Sequence, residues 1–418
     1  MSGQESLELW FANCGWEVHP FQREAWAAYA KGEEVLIQAP TGSGKTYAGL
    51  GGIIQEALKK QKSGHPDKGL QLIWIAPIRA LTKEIQLSAQ RLIDEVGLKW
   101  KVGTRTGDTT GKERAAQRRE LPEMLITTPE SLHVLIAMRD GNRRFGQLKL
   151  MVVDEWHELI GSKRGVQVEL ASAWLRLQSD AYRIWGISAT IGNMNEALNT
   201  LKGQGAQGRI ITSRLSKRIE VHSIMPDRFE RLPWAGHIGV KLATEVSEII
   251  QAHRSTLIFT NTRAQSEIWY HKLLEVAPEL SGVLALHHSS IAKDLRDWVE
   301  NALHQGSLKA VVCTSSLDLG VDFRPVEAIV QIGGPKGIAR FIQRAGRSGH
   351  QPGAISSIYF LPTHGLELIE AAALRDATRL GVIESREPLM QTFDVLIQFL
   401  CTVAVGDGFI PEEMANCV

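Results

Sequence analysis

Three features of the 418-residue sequence predict an α/β fold with two tandem parallel-sheet domains. Short apolar runs alternate with longer helical patterns, the same rhythm occurs twice, and a glycine-rich stretch at residues 203–208 separates the two series. Runs this short, without polar alternation, fit strands covered by helices on both faces. Strands alternating with helices give stacked βα units and therefore parallel sheets. The first series comprises 35–38, 72–76, 124–127, 150–153 and 182–187. The second comprises 255–259, 283–287, 309–313, 328–332 and 355–360. The seam is placed at 212–216, giving expected domains at 1–212 and 213–375, with a helical region over 376–418. Residues 59–68 read as an exposed loop, and a helix over 393–405 is followed by a turn at Gly406-Asp-Gly408. The sequence stops at Cys417-Val418 on what reads as the start of another helix, so an N-terminal fragment of a longer protein is expected.

Composition narrows the class. A chain that is 44% hydrophobic and 22% charged is typical of globular domains. No apolar run approaches the roughly 20 residues a membrane span needs, and the N-terminus lacks a basic stretch leading into an apolar one. Neither membrane association nor export is expected. The four cysteines are scattered without CxxC spacing, which argues against a zinc site or a disulfide framework and fits a reducing cytoplasm. With a formal net charge of +1, any basic footprint for nucleic acid must be local.

Ala39-Pro-Thr-Gly-Ser-Gly-Lys-Thr46 lies between an expected strand and an expected helix, the context a phosphate-binding loop requires. Here the backbone of Thr41, Gly42, Ser43 and Gly44 turns its N–H groups toward the phosphates at a helix N-terminus. Lys45 would neutralise the β- and γ-phosphates of ATP, and Thr46 would ligate Mg²⁺. The usual first glycine is Ala39. Asp154-Glu-Trp-His157 follows the apolar run 150–153, where a Mg²⁺-holding carboxylate belongs. Asp154 is assigned to the metal, mostly through water, and Glu155 to orienting and deprotonating the attacking water.

Together with Ser188-Ala-Thr190, Thr314-Ser-Ser-Leu-Asp-Leu-Gly-Val-Asp322 and Gln343-Arg-Ala-Gly-Arg347, these motifs resemble the DExH-box set of superfamily 2 helicases, in the family's order, and Ala39 is ordinary there. The resemblance implies two tandem RecA-like P-loop domains. It implies that Gln22, in His19-Pro-Phe-Gln-Arg23, reads the adenine edge, and that Gly320 and Asp322 close over the nucleotide and its ribose. Arg344 and Arg347 would reach the phosphates, Arg347 as the finger. His350 stands where many relatives carry a third arginine, which leaves open which arginine bears most of the γ-phosphate charge. His157, Ser188 and Thr190 would couple the state of hydrolysis to domain movement.

A motor also needs backbone-gripping donors on each domain. Positions matching the superfamily's phosphate contacts are Arg79, Gly107, Thr127 and Thr128 in the first, and Thr260, Asn261, Arg263, Ser289 and Thr314 in the second. Trp74, Trp174, Trp185 and Trp269 sit in apolar patterns and read as core, whereas Trp234 is the surface candidate for base stacking. The charged tract 111–120 reads as a solvated helix face that could also touch DNA.

Within the superfamily the sequence is similar to the large helicase-related (Lhr-type) family, through His19-Pro-Phe-Gln22, Asp154-Glu-Trp-His-Glu-Leu159 and Gln343-Arg-Ala-Gly-Arg-Ser-Gly-His350. Ser188-Ala-Thr-Ile-Gly-Asn193 and Leu232-Pro-Trp-Ala-Gly-His237 resemble its bacterial ligase-associated branch. That family implies ATP-driven 3′-to-5′ movement on single-stranded DNA and unwinding of forked duplexes or RNA–DNA hybrids. It also implies a repair setting with a DNA ligase and nuclease, and a bacterial, nucleoid-associated location. Residues 376–418 would be a linker helix and the start of a winged-helix domain. A fragment of this kind is expected to keep DNA-dependent ATPase activity and to unwind poorly. The alternatives are an RNA helicase of the DExH or DEAD type, a duplex-DNA translocase that never separates strands, and a nucleotide-gated binding module without turnover.

Overall fold

The structure, a computed structural model, describes residues 3–189, 191–203, 207–215, 218–225, 239–318, 326–348 and 355–417. Two compact units emerge: residues 1–39, 43–215 and 385–418 in one, and 216–384 with 40–42 in the other. The first unit holds strands β1 (Glu34–Gln38), β2 (Leu72–Ile75), β3 (Val102–Arg105), β4 (Met124–Thr127), β5 (Leu150–Val153), β6 (Arg183–Ser188) and β7 (Gly208–Thr212). They form a parallel sheet ordered β3-β4-β2-β5-β6-β1-β7. The second unit holds β8 (Ile219–Ser223), β9 (Thr256–Phe259), β10 (Leu284–His287), β11 (Ala310–Cys313), β12 (Ala328–Ile332) and β13 (Ser356–Leu361). They form a second parallel sheet ordered β10-β11-β9-β12-β13-β8.

Both sheets carry flanking helices, and the two RecA-like units expected from the sequence are present. The interior strands β2, β4, β5, β9, β11 and β12 are buried at every position, as helices on both faces require. Every apolar run of the two series is a strand. Three further strands, β3, β7 and β8, escaped the sequence reading, and all three lie at sheet edges. Their sequences, Val-Gly-Thr-Arg, Gly-Arg-Ile-Ile-Thr and Ile-Glu-Val-His-Ser, are mixed, because an edge strand has one paired side and more exposure. Trp74, Trp174, Trp185 and Trp269 are core residues, and Trp234 lies outside the described residues. Helix Gly111–Arg119 begins at Thr110, whose hydroxyl and the Glu113 carboxylate form a capping box, and its surface is mostly exposed.

Helix Phe393–Val405 packs within the first unit. Val395, Phe399 and Val403 join the same apolar cluster as Val153, Trp156 and Trp174. Past that helix the Asp407 carboxylate accepts the backbone N–H groups of Asp140 and Gly141. No helix among the described residues is long and apolar enough to cross a membrane.

One buried acid gives this unit a pH signature. Glu169 lies in helix Lys163–Gln178, and burial pushes its carboxyl up to about 7. Folding thus favours its neutral form. That contribution is fully present below the unfolded pKa of about 4.3 and is lost as pH rises through the folded value. Glu169→Gln is expected to match the parent near pH 4.5 and to exceed it at pH 8 by up to about 3 kcal/mol. Urea unfolding of both proteins at the two pH values checks this, and a pH-independent difference would refute it.

Candidate functional site

Helix Lys45–Lys62 begins on Gly44, whose φ of +80°, like the +79° of Gly42, lies in the left-handed region that glycine enters without strain. A Cβ on Gly44 would also stand 2.6 Å from Nε2 of Gln22. Gln22 is buried, donates to the Gly44 carbonyl at 3.1 Å and accepts from the His19 backbone N–H at 2.8 Å. It thereby ties helix Pro20–Ala30 to the phosphate loop. The two helices approach closely because the second carries Gly51 and Gly52: a Cβ on Gly51 would lie 2.1 Å from Nε1 of Trp26. That indole donates to the Tyr47 carbonyl at 3.0 Å. Ser43 is buried, while Thr41, Lys45 and Thr46 are half-buried and Gly42 is exposed.

Opposite the loop, β5 delivers Asp154 and Glu155, both buried. Trp74, on neighbouring β2, donates Nε1–H to Asp154 Oδ2 at 3.2 Å, and the Glu155 backbone N–H bonds to Oδ1 at 2.9 Å. Burial raises the Asp154 pKa, the Glu155 charge raises it further, and Lys45 works against both. Glu155 adopts a left-handed conformation, φ +46° and ψ +47°, as the N-cap of helix Trp156–Leu159. For a non-glycine residue that costs of order 1–3 kcal/mol, and such strain is common at active sites. Its Oε1 lies 3.8 Å from Lys45 Nζ and its Oε2 lies 3.5 Å from His157 Nδ1. His157, at 1% exposure, also faces the Ser188 hydroxyl at 3.2 Å, and burial holds its pKa below the usual value despite Glu155 and Glu158. A neutral imidazole therefore links the end of β5 to the end of β6. Thr190 lies outside the described residues.

The Lys45 ammonium is buried and, among the described residues, makes no hydrogen bond, with the Glu155 carboxylate 3.8 Å away. A cation left so, beside two carboxylates and a glycine-turned N-terminus, suits the phosphates of a nucleotide with its Mg²⁺. Thr46 and Asp154 carry hard oxygens of the kind such an ion takes.

Two contacts that the sequence did not disclose brace this centre. The Asn193 side chain, just beyond the Ser188 motif, donates to the Arg386 carbonyl at 3.0 Å and accepts the Arg386 N–H at 2.9 Å. Arg164 pairs with Glu130 and donates to the Pro77 carbonyl, joining the turns that follow β4 and β2. Both span long sequence separations and leave no local pattern.

In the second unit, Arg344 is 2% exposed and all three of its nitrogens are engaged. Nε and one terminal nitrogen bond to Asp318 at 2.6 and 3.0 Å, the other terminal nitrogen bonds to Gln331 at 2.6 Å, and the guanidinium lies 4.6 Å from the Phe259 ring centroid. Arg347, also buried, donates to the Asp318 carbonyl at 2.8 Å. Gly320, Asp322 and His350 lie outside the described residues.

The residues expected from the sequence to contact phosphate fall at the C-terminal ends of equivalent strands in the two sheets, β3, β4 and β2 in one and β10, β11 and β9 in the other. Arg79 opens helix Arg79–Glu95, pairs with Asp108 at 3.0 Å and lies against Gly107, where a Cβ would meet its guanidinium at 2.7 Å. Thr128 caps helix Pro129–Ile136. Arg263 donates to Ser289 at 2.8 Å, and Asn261 to the Gly334 carbonyl at 2.8 Å. Thr314 is half-buried and precedes a short 3-10 turn. The Thr127 and Thr260 hydroxyls instead point inward, to the carbonyls of Arg105 and of Thr262 and Cys313.

Comparison with known proteins matches residues 19–197 to the DEAD/DEAH box helicase family and 241–351 to the helicase conserved C-terminal domain. Residues 376–418 match the winged helix domain of large helicase-related protein, which adds that domain to the fold. The chain is 33% identical to ATP-dependent helicase Lhr-Core protein 2 of Thermococcus barophilus, over 96% of its own length and 48% of the relative's. It is 30% identical to the Lhr helicase/uracil glycosylase of Escherichia coli, over 97% of its own length and 30% of the relative's. Among solved structures, the Mycobacterium smegmatis helicase Lhr bound to ssDNA and AMP-PNP aligns with a TM-score of 0.87 at 29% identity, covering 99% of this chain and 54% of that one. The chain thus spans about half the length, or less, of the relatives it matches.

Proposed function

We propose that this chain, which belongs to the large helicase-related family of superfamily 2 helicases, hydrolyses Mg·ATP to move along single-stranded DNA. The observation that carries the reading is the buried Lys45 ammonium, which among the described residues makes no hydrogen bond and faces the Glu155 carboxylate at 3.8 Å, beside Asp154. The relative solved with ssDNA and AMP-PNP supports it.

In this reading Lys45 and the backbone of residues 41–44 hold the phosphates, and Gln22, Gly320 and Asp322 hold the rest of the nucleotide. Thr46 and Asp154 would bind Mg²⁺, which when bound offsets phosphate charge. Glu155 orients the attacking water and takes its proton. His157 reports the occupancy of that site to Ser188 and Thr190, and Asn193 passes it on to the backbone of Arg386. Arg347 meets charge that develops in the transition state. Arg344 organises the end of helix Ile338–Ala345, from which the chain passes directly to Arg347. Arg79, Gly107, Thr128, Asn261, Arg263, Ser289 and Thr314 contact the strand, and Thr127 and Thr260 hold their turns.

We assign 1–212 to the ATP-binding domain, 213–375 to the helicase C-terminal domain, and 376–418 to the linker helix and the start of the winged helix. The finer reading is an N-terminal portion of a ligase-associated bacterial enzyme that moves 3′ to 5′, opens forks or RNA–DNA hybrids, and serves repair at the nucleoid with a DNA ligase and a nuclease. The motifs at 188–193 and 232–237 support that branch, the latter outside the described residues.

ATPase assays with single-stranded DNA, single-stranded RNA and blunt duplex test the proposal. Stimulation of tenfold or more by single-stranded DNA is expected. Stimulation by RNA alone would overturn the DNA assignment, and stimulation by duplex alone would favour a translocase that does not separate strands.

A further inference from the structure

A line of uncompensated arginines runs beside the edge strand β3. Arg114 and Arg118 lie one turn apart on helix Gly111–Arg119 and share a face. Arg114 donates to the carbonyls of Thr106 and Gly107, in the turn assigned to phosphate contact. Arg105, at the end of β3, is buried and bonds to Gln117 on the same helix. Farther from that turn, Arg118, Arg119, Arg143 and Arg144 line an open cavity of about 670 Å³ together with two carboxylates, Glu120 and Asp140. Arg144 is fixed by the carbonyls of Arg139 and Arg118. Among the described residues, none of these guanidinium groups forms an ion pair with a carboxylate. Burial holds Arg105 below the ordinary arginine range, and the charges of Arg114, Arg118 and Arg144 add to that effect.

Like charges gathered without partners are costly, and an anion relieves the cost. The chain as a whole carries only +1, so the cluster does not reflect general basicity. We propose that this arginine groove is a second nucleic-acid contact surface, taking the phosphate backbone of a single strand as it continues beyond the Arg79–Gly107 turn. The helix donors Arg114, Arg118 and Arg119 spread over about 7.5 Å of its axis, and Arg143 and Arg144 stand on a separate short helix, so the groups do not converge on one point, which fits a polyanion better than a free phosphate. The line starts at Gly107, so it prolongs the strand path already assigned. The inference rests on the DNA-motor reading above.

The test uses the whole chain with Arg118→Gln, Arg119→Gln and Arg143→Gln combined. Fluorescence anisotropy is read with oligothymidylates of about 4 and about 16 nucleotides, sizes that bracket common single-strand sites, over a range of salt. Each single-strand phosphate contact adds about 0.7 to the slope of log affinity against log salt. The long oligonucleotide should therefore lose about 2 from its slope, while the short one stays within about twofold of the parent. The corresponding triple Arg→Lys variant should restore the slope, which separates charge from folding. An unchanged slope with the long oligonucleotide, or equal losses with both, would overturn the proposal. A parent chain that binds neither oligonucleotide would instead remove the underlying DNA reading, and the parent control shows which has failed.

Discussion

Glu155→Gln is expected to lower kcat for DNA-stimulated ATP hydrolysis by about 10²–10⁴-fold, with nucleotide affinity changed only a few-fold. The substitution keeps the volume and most hydrogen-bonding capacity of the side chain but removes the basic oxygen. Glu155 is held between Lys45 and His157, and its backbone sits in a left-handed conformation that ordinary packing does not call for. Its carboxylate also raises the pKa of neighbouring Asp154, which offsets the loss of its pairing with Lys45, so only a small change in unfolding is expected. A structural role predicts the opposite pattern, with lost stability and weaker nucleotide binding. Steady-state ATPase, titration with a fluorescent non-hydrolysable nucleotide and thermal unfolding together separate the two. Unchanged hydrolysis would end the assignment of Glu155 as the base.

The parts of the molecule legible in the sequence are those whose physics is local. β5 could be read because four successive buried residues must be apolar, and the phosphate loop because its turns need glycine at 42 and 44. The edge strands β3, β7 and β8 could not be read, since pairing on one side tolerates Arg105, Arg209 or Glu220 within the run. In the site, residue types alone supplied Lys45, Asp154 and Glu155. They did not supply the Trp74 bond to Asp154, the Gly51 approach to Trp26, or the Asn193 clamp on Arg386, which join positions 80, 25 and 193 residues apart. A motif also cannot say which of its arginines is spent on the fold. Only the partners of Arg344 and Arg347 show that.

Those partners lead to opposite expectations for two arginines in the same five-residue motif. Arg344 binds Asp318 through two nitrogens and Gln331 through the third, in a site where Asp318 is only 4% exposed. Among the described residues, Arg344→Ala would leave that carboxylate with Arg340, at 3.5 Å, as its ion-pair partner. Breaking a buried pair in this way costs about 3–5 kcal/mol, so Arg344→Ala should appear chiefly as a fall in the unfolding midpoint of the second unit. Arg347 instead donates to a backbone carbonyl of Asp318. Its assigned work lies in the transition state. Arg347→Ala is expected to cut kcat by about 10³–10⁵-fold, the range seen for arginine fingers, with little change in unfolding. Denaturant unfolding and single-turnover hydrolysis on both variants decide between the roles. If Arg347→Ala unfolds easily while Arg344→Ala folds normally and fails to hydrolyse, the finger is Arg344. The Asp318 pair would then have to open during each cycle, and the network that now looks structural would be the part of the motor that moves.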